Sequence, residues 1–267
     1  MSSGSLPITA CKKKLYALNP QNPPPPVPAQ RAGKRIRLQP ADARSLEREV
    51  RQLLADKVSG NLLGLFLLVP EHLRLGTWDL LRTWAGPAAP TVAPRLALHL
   101  VHEAALCRSG LRANRSLRHR GLELVSGLPW LPTDGAVHDL LEAHTIEEFF
   151  RFDQPLGWRR AGTLNLHIRC GQMTLALLAQ AVIHQLRQRL GDPFAQWDAL
   201  HLAQELFSGL EGDLRVHQDT LLVTYYNAPQ ADGWKRHFEN LPAQLQRENL
   251  DPRVPWLYHF KLDFRFK

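Results

Sequence analysis

Residues 212–227 read GDLRVHQDTLLVTYYN. Leu214 and Val216 alternate with charged and polar residues, Gln218–Asp219 interrupts, and Leu221, Val223 and Tyr225 resume the alternation. A period of two marks strands, and a two-residue break between two such runs marks a β-hairpin. The last residues, PWLYHFKLDFRFK (255–267), alternate again and predict a strand.

Outward from this hairpin the period is helical. WDALHLAQELFSGL (197–210) and WKRHFENLPAQLQREN (234–249) are amphipathic helices. LNLHIRCGQMTLALLAQAVIHQLRQRL (164–190) runs to Gly191 and is apolar on most sides, which predicts a central, buried helix. His167 and His184 lie on it. Histidines on an apolar helix are more often satisfied core residues than ligands, and no partner at metal-ligand spacing accompanies them.

Further upstream, PADARSLEREVRQLLADKVSG (40–60) places Leu46, Val50, Leu53, Leu54 and Val58 on one stripe, with Gly60 able to close the helix. TWDLLRTWAG (77–86) and TVAPRLALHLVHEAALCRSG (91–110) predict two more helices, with Pro94 in the first turn of the second. No run of strands is legible between 40 and 145. The expected fold is mainly α with a small β component, the hairpin and the C-terminal strand.

The chain of 267 residues has a formal charge of +8. Residues 1–150 carry 19 Lys and Arg against 13 Asp and Glu, so most of the surplus lies in the first half. That favours a polyanionic partner, nucleic acid ahead of membrane, because no amphipathic lipid-seeking helix stands out. The longest apolar run, NLLGLFLLV (61–69), is far too short to span a bilayer, and no apolar run follows CKKK (11–14) as a signal peptide would need. Three well-separated cysteines suggest neither a disulfide framework nor a zinc site. A cytoplasmic protein is expected.

Residues 1–39 hold Lys12, Lys13, Lys14, Arg31, Lys34, Arg35 and Arg37, no acid, and the proline run of NPQNPPPPVP. They predict a disordered basic arm that cannot build a core. Arg108, Arg112, Arg115, Arg118, His119 and Arg120 then fall within thirteen residues that contain no acid. Two short helices are expected there, one near 116–126 and one near 134–143 with Thr133 as N-cap, joined by a turn in SGLPWLP. This is the layout of a helix–turn–helix, although a plain helical hairpin gives the same pattern. Residues 40–143 are thus a candidate DNA-binding region, and Arg112, Arg115, Arg118 and Arg120 its candidate phosphate contacts.

HTIEEFFRFDQPLGW (144–158) pairs Glu147 with Arg151 one helical turn on, a sensible set for a metal ion or a phosphate. Two-metal chemistry needs several converging carboxylates. Asp134 lies only 13 residues ahead of Glu147, too close for a strand series to intervene, and Asp134 and Asp139 suit the first turn of a helix.

IEEFFRFDQPLGWRRAGTLNLHIRCGQMTLALLAQAVIHQLRQRLG (146–191), GLEGDLRVHQDTLLVTYYNAP (209–229) and the terminal PWLYHFKLDFRFK resemble the C-terminal part of bacterial insertion-sequence transposases of the DDE type. Residues 55–81 and 95–145 resemble the N-terminal region of the same family. The resemblance implies a ribonuclease-H-like core holding two Mg²⁺ ions between two aspartates and a glutamate. That glutamate belongs to a tyrosine-x-x-arginine-x-x-x-glutamate-x6-lysine signature. With Glu147 in its place, Leu140, Ala143 and Gln154 occupy the other three positions. Both ends resemble one family, while the middle bearing the two aspartates is missing. An internal deletion that joined the two regions near 143–146 accounts for this, and residues 144–267 are then a C-terminal transposase-like segment.

The resemblance therefore implies a remnant of the ribonuclease-H-like core. Glu147 is a vestigial catalytic carboxylate and the metal ligand only if Mg²⁺ is still bound. Arg151, Arg159 and Arg160 join the candidate DNA contacts. The implied function is DNA binding at transposon terminal repeats without strand transfer, with self-association or an intact transposase as further partners. The alternatives are an active metal-dependent recombinase enlisting Asp134 or Asp213 with Glu147, a non-functional remnant, and a basic RNA-binding or scaffold protein. Loss of the central sheet also predicts that helix 164–190 lacks its packing partner and exposes an apolar face.

Overall fold

A computed structural model of the chain describes residues 41–86, 92–107, 121–133, 135–137, 140, 166–229 and 231–267. The described residues are mainly helical, with a small mixed sheet of five strands, β1 (Val58–Gly60), β2 (Gly212–His217), β3 (Thr220–Tyr225), β4 (Arg253–Val254) and β5 (Phe260–Phe266), in the order β1-β2-β3-β5-β4. Among the described residues no helix is long and apolar enough to cross a membrane.

The hairpin forms where the alternation places it. β2 (Gly212–His217) and β3 (Thr220–Tyr225) pair antiparallel, and Gln218 takes the left-handed turn position with φ of 57°. β5 (Phe260–Phe266) runs parallel to β3, and the two-residue β4 (Arg253–Val254) pairs antiparallel with β5. One face of the sheet is apolar. Tyr225, Phe264 and Phe266 receive Trp234 and Phe238 from helix α8 (Ala231–Phe238).

Two strands were not foreseen. Besides β4, the stripe expected to continue through Val58 to Gly60 breaks early. Helix α1 spans Ala41–Ala55, and Val58–Gly60 becomes β1, paired with residues 212–214 of β2. Leu46, Val50 and Leu54 are buried as expected, while Leu53 is exposed. Val58 is buried too, but from a strand, so a stripe that continues in spacing need not continue in conformation.

The apolar run after β1 is the centre of the core. Leu63–Leu68 is a 3-10 segment leading into α2 (Val69–Arg74), and all of residues 62–72 are buried. α3 (Thr77–Ala85) ends at Gly86 as expected, and α4 (Val92–Ala105) has all but one of its residues buried. Gly121 opens the short α5 (Leu122–Val125), and Thr133 Oγ1 accepts the Ala136 amide at 3.2 Å, the predicted cap.

Helix α6 (Leu166–Leu190) corrects one expectation and modifies another. It is not buried on most sides. Leu175, Ala179, Val182, Ile183 and Leu186 face the core, while Met173 and Leu177 are exposed, Leu177 to 61 %. Nor does it lack a packing partner, because it lies along α4. Its polar residues are spread so that only one stripe is uninterrupted, and His184 is exposed rather than a core histidine. α7 (Ala199–Leu202), capped by Asp198 Oδ1 on the His201 amide at 2.7 Å, continues as a π-turn over Ala203–Phe207. The region 234–249 is two helices rather than one. α8 is followed by α9 (Leu241–Arg247), with Asn240 at φ 57° between them.

The segments before and after residue 143 share one core. Besides the β1–β2 pairing, Trp256 Nε1 donates to Val125 O at 3.0 Å, Tyr258 OH to Gly127 O at 2.7 Å and Tyr225 OH to Leu63 O at 2.7 Å.

Candidate functional site

The residues singled out from the sequence fall largely outside the described part. Glu147, Arg108, Arg112, Arg115, Arg118, Arg120, Arg151, Arg159, Arg160, Asp134 and Asp139 all lie there, as does the arm 1–39. What the structure does give is the frame around the arginine-rich segment. Leu106, which follows α4, is buried in the core, and at Gly121 a Cβ would stand 3.1 Å from the Leu62 carbonyl carbon.

The charge is sharply divided. The described residues carry 18 Lys and Arg against 19 Asp and Glu. Residues 1–40 carry seven Lys and Arg, and residues 108–120 carry five Arg, both without an acid. The basic surplus of the chain therefore belongs to those two segments and not to the described residues.

Of the acids weighed for metal chemistry, Asp213 is described. It is the second residue of β2, its side chain is 3 % exposed, and cations surround it. Lys57 Nζ stands 2.8 Å from Oδ2, Arg215 Nε 3.4 Å from Oδ1, and the Tyr226 hydroxyl donates to Oδ2. Burial pushes the carboxyl's pKa up. The hydrogen bonds from Lys57 and Tyr226, with the charges of Lys57 and Arg215, outweigh it and hold the pKa below the ordinary value. Such a carboxylate does not fit a Mg²⁺ site, because both oxygens already serve bound cations. Among the described residues no group of three His, Cys, Asp or Glu side chains could hold a metal ion.

A second polar constellation lies inside the core, and no sequence signal marked it. His72 on α2, His99 and His102 on α4, Glu103 and Ser126 are all buried. The His72 and His102 rings meet edge-on with centroids 5.1 Å apart, and His72 packs against Trp256 at 6.0 Å. His99 Nε2 is 3.5 Å from Glu103 Oε1. Burial holds the His72 pKa down to about 3, and burial with the charges of His72 and His99 holds His102 well below its usual value. Ser126 Oγ is 2.9 Å from His102 Nδ1 and donates to Leu122 O at 3.2 Å. With its single proton on that carbonyl, the hydroxyl accepts from His102 Nδ1–H. Serine and histidine are both closed off from solvent, so no substrate reaches them as a nucleophile and base. The cluster is structural.

Nearby, Glu71 Oε1 accepts from Arg74 and Arg189, each at 2.9 Å, and Arg74 Nε reaches Glu248 at 2.6 Å. This network ties α2, α6 and the end of α9 together. Neither protein-family models, nor curated proteins, nor solved structures gave a match to this chain.

Proposed function

We propose that the chain is a transposase-type protein that binds DNA at transposon terminal repeats and does not itself transfer strands. The observation that carries this reading is the division of charge between the nearly neutral described residues and two acid-free basic segments of the sequence. A folded protein that gathers its cations into segments without counter-charge keeps them for a polyanion. The segment 108–120 favours DNA further, because both its ends join the core and its cations are all arginine, whose planar guanidinium grips phosphate with two parallel hydrogen bonds.

On this reading Arg112, Arg115, Arg118 and Arg120 contact phosphate, with Arg151, Arg159 and Arg160 extending the footprint. The five-stranded sheet is what remains of a ribonuclease-H-like core, and Glu147 is a catalytic carboxylate that has lost its partners. The state of Asp213 supports the inactive form of the reading, since its cation-bound carboxylate is a poor substitute for a missing aspartate.

Anisotropy titrations of a labelled duplex carrying the terminal repeat, at several salt concentrations and against a scrambled duplex, test it. Tighter binding to the repeat is expected. Replacing Arg112, Arg115, Arg118 and Arg120 by alanine should flatten the log–log salt slope by about 0.9 for each phosphate that is no longer neutralised. Equal, weak binding to both duplexes overturns the reading. Mg²⁺-dependent nicking that disappears in Glu147→Ala overturns its inactive form.

A further inference from the structure

The polar face of the sheet gathers one corner that the buried core does not explain. In register, Asp213 stands opposite Thr224 and Thr224 opposite Arg265. Two residues on, the same face carries Tyr226 beside Lys267, whose amide continues the ladder by donating to Tyr225 O at 3.0 Å. Lys57, one residue ahead of β1, and Arg215 close the other side through Asp213.

Tyr226 is 45 % exposed, and among the described residues it is the one aromatic among the few exposed large hydrophobic side chains. Its ring is held from one end, because its hydroxyl donates to Asp213. Two ammonium groups hover at its surface, Lys57 Nζ at 5.7 Å and Lys267 Nζ at 5.6 Å from the centroid. Both distances are near the outer limit of a cation–π contact, so a flat ring can displace either one. Among the described residues neither Lys267 nor the exposed Arg265 has a carboxylate partner. Of the described carboxylates near this face, Asp213 is already paired, Asp219 pairs with Lys261, Asp263 Oδ1 accepts the Leu241 and Phe264 amides, and the exposed Glu211 lies across from Tyr226.

We propose that Tyr226 is a stacking platform for an unpaired base of a single-stranded polynucleotide, with Arg265 and Lys267 taking the flanking phosphates. A pinned, open aromatic ring gives a base a face to stack on at small entropic cost, and stacking of this kind is indifferent to sequence. Arg265 and Lys267 are about 7 Å apart along β5, a stride that a stretched single strand can match. A displaced ammonium keeps its charge beside the adjoining phosphate. A small free anion would need the cations alone, and a duplex would bury the ring against stacked pairs it cannot enter. The platform is separate from duplex binding by the arginine-rich segment, and the two are tested apart.

The test uses the full chain with a labelled oligothymidylate of about 15 nucleotides and a duplex of the same length. The wild type should bind the single strand. Tyr226→Ala should weaken that binding about tenfold and leave the duplex affinity unchanged. Tyr226→Phe keeps the ring but loses the bond that pins it, so it should weaken single-strand binding by no more than about threefold, clearly less than Tyr226→Ala. Arg265→Ala together with Lys267→Ala should lower the single-strand salt slope by about 1.4. The platform is overturned if the wild type does not bind the single strand. It is overturned equally if Tyr226→Ala binds as wild type does, or if Tyr226→Phe is as damaging as Tyr226→Ala. The last result would assign the effect to the Asp213 bond. None of these outcomes depends on whether the terminal-repeat duplex is recognised.

Discussion

His72 is wedged between His102 and Trp256, and neither of its ring nitrogens has a hydrogen-bond partner among the described residues. Its neutral form is the one the fold accepts. Because its folded pKa of about 3 lies below the unfolded value near 6.5, the unfolded chain binds the extra proton. The stability this neutral ring protects is intact above about pH 6.5 and falls away as the pH drops toward 3, by about 2 kcal/mol at pH 5. His102 adds to the loss with the same sign. Glu71 works against it, since burial raises its pKa despite Arg74 and Arg189, and protonation then favours the folded state at low pH. Urea unfolding at pH 7.5 and pH 5 should show a lower midpoint at pH 5, and His72→Met should shrink the difference. An unchanged difference in that variant would remove His72 from the account. Glu71 offers a second check. Glu71→Ala removes one partner of Arg74 and Arg189, which both keep Glu248, and should cost about 1 kcal/mol in the same assay at pH 7.5. These residues were hidden in the sequence for a physical reason. The run 62–72 and α4 are buried nearly all round, so their polar positions do not fall on a solvent stripe, and periodicity has nothing to separate.

Gly64 shows how the elements are spaced. A Cβ there would stand 2.0 Å from Leu206 O, so the 3-10 segment lies directly against the backbone of the π-turn. Gly64→Ala must push the two apart and should cost at least about 2 kcal/mol, read as a lower urea midpoint with an unchanged slope. A midpoint equal to wild type would mean that the backbone yields freely there. The run around Gly64 was visible in the sequence only as the longest apolar stretch, because burial on every side erases both the helical and the strand period. Where one face meets solvent the pattern was readable. The β2–β3 hairpin, the C-terminal strand, the ends of α3 and the Thr133 cap all follow from alternation, glycine or a capping hydroxyl. The β1 strand was not readable, since three residues are too few to establish a period and its partner lies more than 150 positions away.

At the scale of the molecule, the described residues on either side of 143 complete each other. Trp256 and Tyr258 bond to the backbone of Val125 and Gly127, and a Cβ on Gly127 would meet Trp256 O at 2.1 Å. Residues 1–143 and 144–267 produced separately should each lack dispersed amide resonances, and mixing them should restore dispersion. A dispersed spectrum from 144–267 alone would contradict the shared core. Non-local pairing of this kind leaves no local trace in a sequence, and so the folded body could not be read from either segment alone. The arginine-rich segment stands out in the sequence for the opposite reason, since an acid-free run of arginines declares its charge without any partner. The short outer strands carry one more consequence. β1 covers only residues 212–214 of β2, and what remains of that margin displays Arg215 and His217. The far margin is met by the two-residue β4, with Arg253 at its start. A foreign strand approaching the β2 margin finds a short remainder beside charged side chains rather than a long template, which disfavours strand-by-strand polymerisation from that side. Fibre growth from that side would have to begin from chains that have first opened, and its lag should shorten in step with any change that lowers the unfolding midpoint.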